Sequence, residues 1–222
     1  MGRFIFSFLR IAIGLAIGLG IFRAGPVVSA QELNAPVRVF LPAIMSLAGG
    51  PAQAGDPFEG FLAEVITGES QVLTGVYVEG RLAYRVQQQP AGDYGYIAPQ
   101  ADIVTQFMLT LPQVTGLLAH NNLAGKDFDR LTTGDEVLLV EGDGLVRRYR
   151  VAGADEYQAL QPFSATSDLL HLESGETLTT AEVFARYYMG EEHVTFQTCI
   201  ERGGNSSWGR LFVVALPVEE DF

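Results

Sequence analysis

Short runs of alternating or wholly apolar residues, cut off by glycine- and acid-rich turns, make up most of the chain beyond Phe61. Gln71 to Tyr77, ended by Glu79-Gly80, and Leu82 to Gln87 have the length and β-branched or aromatic content of strands. Ile103 to Leu111 and Val114 to Ala119 follow in the same character. Glu136 to Val140, the turn Glu141-Gly142-Asp143-Gly144 and Leu145 to Val151 form a hairpin pattern, and His193 to Cys199 and Leu211 to Pro217 finish the chain. Eight short strands with little helical alternation predict a mainly β fold, a closed antiparallel β-barrel.

One helix interrupts this pattern inside the 41 residues from Ala152 to Glu192. Thr179 and Glu182 form a capping box, Ala181, Val183, Phe184 and Tyr187 recur at helical spacing, and Gly190 stops the run. A long connection carrying its own helix covers apolar barrel surface or walls a site.

Before Phe61 the pattern changes. Met1 to Arg10 is basic, Ile11 to Phe22 is an apolar run, and Val28-Ser29-Ala30 resembles a cleavage site, so residues 1–30 read as a signal peptide or an N-terminal membrane anchor. Either role puts the remainder of the chain outside the cytoplasm. Residues 31–60, rich in Pro, Gly and Ala, read as a linker with a short strand at Val37 to Leu41, and 61–222 as one catalytic-sized domain.

Charge narrows the classes further. Lys and Arg total 14 against 26 Asp and Glu, a net charge of -12, and all the acid lies beyond the first 30 residues. Such a balance disfavours nucleic acid, and Arg147, Arg148 and Arg150 read as a polar strand face. With 48% hydrophobic residues the chain buries a sizeable core, which excludes wholesale disorder.

Cys199 is the only cysteine, so no internal disulfide exists. If His193 to Cys199 and the strand headed by Arg210 pair in antiparallel fashion, thiol and guanidinium stand at the same end of adjacent strands. Cys199 then shares its face with Gln197 and Thr195, while Val194 and Phe196 point the other way. A nucleophilic thiol needs a base. His193 lies six residues upstream on the same strand, roughly 20 Å away. His171 sits in the long connection, and His120 ends a strand beside Asn121 and Asn122, which makes it the best candidate.

These residues resemble the sortases, the cysteine transpeptidases that join surface proteins to the cell envelope. Thr195 to Cys199 is close to the family's Thr-Leu-x-Thr-Cys, with Phe196 in the Leu place. Leu118-Ala119-His120-Asn121, Phe128-Asp129-Arg130-Leu131 and Gly134-Asp135-Glu136-Val137 repeat the landmarks that follow the family's histidine, and Arg210 heads a hydrophobic strand as its arginine does. The match covers Val114 to Leu216; from Phe61 to Leu111 it extends only to strand-like character, without the usual Ile-Pro opening. Ala119 stands where a Gly commonly precedes the histidine, and the connection after Val151 is long for its position.

The resemblance implies a catalytic set of Cys199, His120 and Arg210, with Thr198, Thr195, Trp208 and Asn121 as candidate substrate-binding residues. It implies a Leu-Pro-x-Thr-Gly-like sorting signal on surface proteins as donor, an amine of the cell envelope as acceptor, and contact with the membrane only through the N-terminal segment. No cofactor is required, although Asp127, Asp129, Glu191 and Glu192 are candidates for calcium, as in some relatives. The alternative is a non-catalytic, envelope-exposed barrel that binds peptide or glycan with Cys199 as packing. Asn205-Ser206-Ser207 matches a glycosylation acceptor but reads better as part of a substrate-side loop, and Trp208 either lines the cleft or anchors the hairpin.

Overall fold

A computed structural model describes residues 56–218. The signal or anchor segment 1–30, the strand expected at Val37 to Leu41 and nearly all of the linker lie outside the described residues.

Eight strands close on themselves: β1 (Leu73–Val78), β2 (Leu82–Gln88), β3 (Ile103–Phe107), β4 (Val114–Leu118), β5 (Glu136–Glu141), β6 (Val146–Ala159), β9 (His193–Arg202) and β10 (Asn205–Pro217). Their lateral order, β10-β9-β4-β3-β2-β1-β5-β6, is closed by pairing of β6 with β10. Two short strands, β7 (Leu169–His171) and β8 (Thr177–Leu178), extend the sheet beyond the upper half of β6. Two of the eight seams, β2 with β3 and β4 with β9, are parallel, and the other six are antiparallel. The parallel seams follow from connections that carry the chain back to the end where it began, across residues 89–102 and 119–192.

Alternation places one set of side chains inside. Val76, Leu117, Leu139, Phe196 and Val213 fill the barrel, and Phe128, on the 3-10 turn Ala124–Arg130, plugs one end with its ring edge-on to Phe196 at 5.2 Å. Phe128 is wholly buried. Phe128→Ala is therefore expected to cost about 3–5 kcal/mol, read as a lower urea midpoint at an unchanged slope.

Two helices cover the outside. Helix α2 (Thr180–Tyr188) carries the expected capping box, Thr179 with Glu182, and seats Val183, Tyr187 and Tyr188 against Leu118, Tyr157 and Phe212. Tyr187 stacks on Phe212 at 4.1 Å, and burial with the hydrogen bond to Asp155 pushes its phenol well above the usual tyrosine range. On another face α1 (Pro57–Val65) packs Phe61 and Val65 on Tyr77, and Gly75 makes room, since a Cβ there meets both side chains at 2.9 Å.

Helix α1 corrects the linker boundary at residue 60. Asp56 caps it by accepting from the Phe58 N–H, and Pro57 opens its first turn, so the Asp-Pro pair starts a helix where the sequence suggested linker punctuation. Strand β6 also runs eight residues past the expected end at Val151, because β10 on one side and then β7 on the other supply ladder partners beyond the end of β5. Likewise β9 and β10 continue past Cys199 and begin before Arg210, joined at Gly203-Gly204, both with positive φ (61° and 79°). Asn205-Ser206-Ser207 thus lies in strand β10 instead of a free loop. Among the described residues no helix is long and apolar enough to cross a membrane.

Candidate active site

Strand register brings two of the sequence candidates, Cys199 and Arg210, side by side, and β4 leads to the third, His120. In the antiparallel seam Arg210 is directly opposite Cys199. In the parallel seam Leu118 is beside Gln197, and the Ala119 N–H continues the ladder onto the Gln197 carbonyl at 3.2 Å. His120 follows directly, past the end of β4, where its carbonyl accepts from the N–H groups of Leu123 and Gly125 and opens the turn. Neighbouring strands are about 4.8 Å apart, so thiol and guanidinium arise from adjacent positions on two strands, and the imidazole from the turn that follows the third. Cys199 and Arg210 also share a face: Gln197 and Phe212 lie on the outer side of the barrel, and Cys199 and Arg210 are each two residues from one of these.

The other two histidines are elsewhere. His171 belongs to the same lateral row, opposite Tyr157, which is opposite Arg210, and this puts it three strands from Cys199, or roughly 14 Å. It is buried, bonded to Ser174 at 2.8 Å and Asp155 at 3.3 Å, with its ring edge-on to Tyr157. His193 is buried at the far end of β9, where its ring nitrogens meet the carbonyls of Glu191 at 2.8 Å and Tyr187 at 3.0 Å. His120, in contrast, is exposed.

Arg210 is half-buried and held by main-chain carbonyls. Its Nη1 donates to Ser207 at 3.0 Å and Gly209 at 2.8 Å, and Nη2 to Pro162 at 3.4 Å. Three of its five N–H groups are thereby fixed, and those on Nε and the rest of Nη2 have no partner among the described residues. Pro162 lies in the connection after β6, so this loop and the hairpin orient the guanidinium together.

A groove of about 380 Å³ runs along this outer face and ends at Cys199 and Arg210. Leu118, Gln197 and Phe212 form its floor, Val183, Phe184 and Tyr188 of α2 one wall, and Tyr94 to Ile97 and the loop 164–167 the rim. Its lining is apolar apart from hydroxyls, Gln197 and Arg210. Burial pushes the Tyr188 phenol above the usual tyrosine range, so it stays protonated and donates to Gln197 Oε1. The long connection after Val151 therefore does wall a site, and Gln197 was visible beforehand as the residue sharing the face of Cys199. Pro162 carried no such signal.

The four residues expected to touch substrate take different places. Thr195 is fully buried with its hydroxyl donated to the Tyr187 carbonyl, so the expectation for it is corrected: it ties β9 to α2. Thr198 is buried on the inner face and donates to the Ala119 carbonyl at 2.9 Å, which again replaces substrate contact with a structural tie, next to His120. Asn121 Nδ2 donates to the Ser206 carbonyl at 3.0 Å, joining the histidine loop to the hairpin. Trp208 lies outside the groove beneath the Arg202 guanidinium, 3.8 Å from its ring centre, and anchors the hairpin.

The calcium candidates do not converge. Burial pushes the Asp127 carboxyl up, but hydrogen bonds from Tyr84 and Arg130 outweigh it and hold the group below the usual carboxylate range. Glu192 accepts from Tyr149 Oη at 2.8 Å on a different part of the barrel. Among the described residues no three His, Cys, Asp or Glu side chains gather to hold a metal.

Gly125 was not singled out by sequence, yet it closes the turn that carries His120. Its N–H donates to the His120 carbonyl at 3.1 Å, and a Cβ there falls 2.3 Å from Thr198 Oγ1 and 2.8 Å from the carbonyls of Ala119 and His120. Two of these atoms are main chain and cannot swing away. Gly125→Ala is expected to displace His120, reducing turnover at least about tenfold (about 1.4 kcal/mol) while the barrel loses about 1–3 kcal/mol of stability, read as a lower urea midpoint. Peptide turnover and urea unfolding on one preparation check this.

No family model and no curated protein matches the chain. It is similar to solved structures of sortases. With sortase A of Listeria monocytogenes it shares 10% identity over 67% of this chain and 88% of that one, at a TM-score of 0.43. With sortase C1 of Streptococcus agalactiae it shares 19% over 72% and 78%, at 0.42. With a sortase D5 transpeptidase of Clostridium perfringens it shares 12% over 74% and 91%, also at 0.42.

Proposed function

We propose that the protein is a sortase-like cysteine transpeptidase acting at the cell envelope. The observation that carries this reading is Cys199 directly opposite Arg210 where both line an apolar groove, with His120 two residues past the strand that pairs with the Cys199 strand. A binding module has no need to set a thiol between an imidazole and a forked cation.

In this reading a sorting-signal peptide lies along the groove with its scissile carbonyl at Cys199. The thiolate forms a bond to the carbonyl carbon, and the peptide C–N bond breaks, giving a thioacyl enzyme. His120 protonates the departing amine and accepts a proton from the incoming one. The free N–H groups of Arg210 stabilise the oxyanion. An envelope amine as acceptor completes transpeptidation, and water gives hydrolysis. The donor is a surface protein bearing a Leu-Pro-x-Thr-Gly-like signal.

The test is turnover of the full chain on a library of quenched fluorescent sorting-signal peptides with a primary amine present, followed by mass spectrometry of the products. Amide formation with the amine supports the reading. Loss of turnover in His120→Ala, with activity retained in folded His171→Ala, supports the assignment of the base; the reverse pattern contradicts it.

A further inference from the structure

Strand β10 breaks register immediately before Arg210. Asn205 pairs with Arg202 and Gly209 with Ile200, so Ser206, Ser207 and Trp208 all stand against the single residue Glu201 of β9. On the other side the ladder with β6 begins only at Gly209. The Ser206 and Ser207 carbonyls are thereby freed from both ladders, in the kind of bulge that re-aims groups beside a site. Asn205 shapes it, accepting from the Ser207 N–H on Oδ1 at 3.0 Å. The freed carbonyls take two side chains that flank the candidate chemistry: Ser206 accepts from Asn121 Nδ2 at 3.0 Å, and Ser207 from Arg210 Nη1 at 3.0 Å.

Asn121 directly follows His120 in the chain. The imidazole is exposed and makes no side-chain hydrogen bond among the described residues, so the turn that carries it decides where it stands. The near side of that turn is tied to β9 by the Ala119 N–H on the Gln197 carbonyl and by the Thr198 hydroxyl on the Ala119 carbonyl. Asn121 supplies the tie to β10.

We infer that Asn121 is the positioning residue for His120 and that the bulge is its anchor, so that one irregular stretch of β10 aligns imidazole and guanidinium together. The inference rests on the transpeptidase reading and adds what aligns its base. Consecutive Cα atoms are fixed about 3.8 Å apart, so the Ser206 and Ser207 carbonyls cannot shift independently, and the groups hung on them move as a pair. A misplacement of about 1 Å costs roughly 100-fold in rate, whereas one exposed hydrogen bond adds little to stability, so loss of this tie separates activity from folding.

The experiment is steady-state turnover of sorting-signal peptides by the full chain and its variants, with urea unfolding alongside. In Asn121→Ala, kcat is expected to fall at least about tenfold, with KM within about twofold of wild type and the urea midpoint moved by less than about 0.5 M. Asn205→Ala, which removes the acceptor that shapes the bulge, should also lower kcat at least about tenfold. The double variant Asn121→Ala/Asn205→Ala should lie within about threefold of the slower single variant, because both act through one anchor. The His120 ring resonance in proton–carbon NMR spectra, assigned by its loss in His120→Ala, should shift in Asn205→Ala although the substitution is on another strand.

A fall in kcat of less than about tenfold in Asn121→Ala, or a further loss beyond about threefold in the double variant, overturns the inference and leaves the transpeptidase reading intact. A raised KM with kcat unchanged makes Asn121 a substrate contact and overturns it equally. A His120 resonance unmoved in Asn205→Ala overturns it whether or not peptide is turned over, whereas a wild-type chain that turns over no peptide overturns the transpeptidase reading itself.

Discussion

Cys199→Ala is expected to remove all peptide cleavage while leaving thermal unfolding nearly unchanged. The side chain is half-buried where the groove meets the barrel mouth, so deleting its sulfur leaves only a small cavity, and such surface-facing changes stay within about 1 kcal/mol. Rate enhancement by a covalent nucleophile is lost entirely with the nucleophile, because no neighbouring Ser, Thr or Cys shares the outer face of β9 at this level; Thr195 is committed to the Tyr187 carbonyl. Turnover and calorimetry on the same variant check both halves. Residual cleavage above a trace places the nucleophile elsewhere, and a large loss of stability makes Cys199 a packing residue.

The second large effect is expected at Arg210, where Lys should be nearly as damaging as Ala. If the residue supplied only positive charge, Lys would replace it. The guanidinium instead spends Nη1 on the Ser207 and Gly209 carbonyls and reaches Pro162 with Nη2, which aims its free Nε–H group. An ammonium on a flexible stem cannot satisfy the hairpin and the loop together and still point a donor at a carbonyl oxygen. Loss of one oxyanion donor costs about 100-fold to 1,000-fold in rate, roughly 3 to 4 kcal/mol. A Lys variant within about fivefold of wild type in kcat, or about 1 kcal/mol, leaves Arg210 as an electrostatic neighbour only.

Much of this site was legible in sequence because strands have a fixed period. Cys199 and Arg210 fell opposite each other once their segments paired, and His120 was singled out by ending a strand. The closed eight-stranded barrel followed from the apolar runs, and helix α2 from its capping box. What escaped depends on tertiary partners. The parallel seam between the strand that leads to His120 and the strand of Cys199 joins residues almost eighty positions apart, and no local pattern records it. Thr195 and Thr198 looked like site residues beside the thiol, but whether a strand hydroxyl faces substrate or a helix carbonyl depends on α2 and on the Ala119 turn. Helix α1 was hidden by Asp56-Pro57, a pair that serves equally as a turn signal and a helix start.

The central claim is that a peptide acyl group passes through Cys199. Intact and tryptic mass spectrometry of the full chain, quenched in acid during incubation with the sorting-signal library, tests it most directly. The account predicts an acyl adduct on the peptide containing Cys199, removed by hydroxylamine as a thioester is and absent from Cys199→Ala. A chain that cleaves peptide with no adduct on Cys199, or that carries the acyl group on another residue, contradicts it.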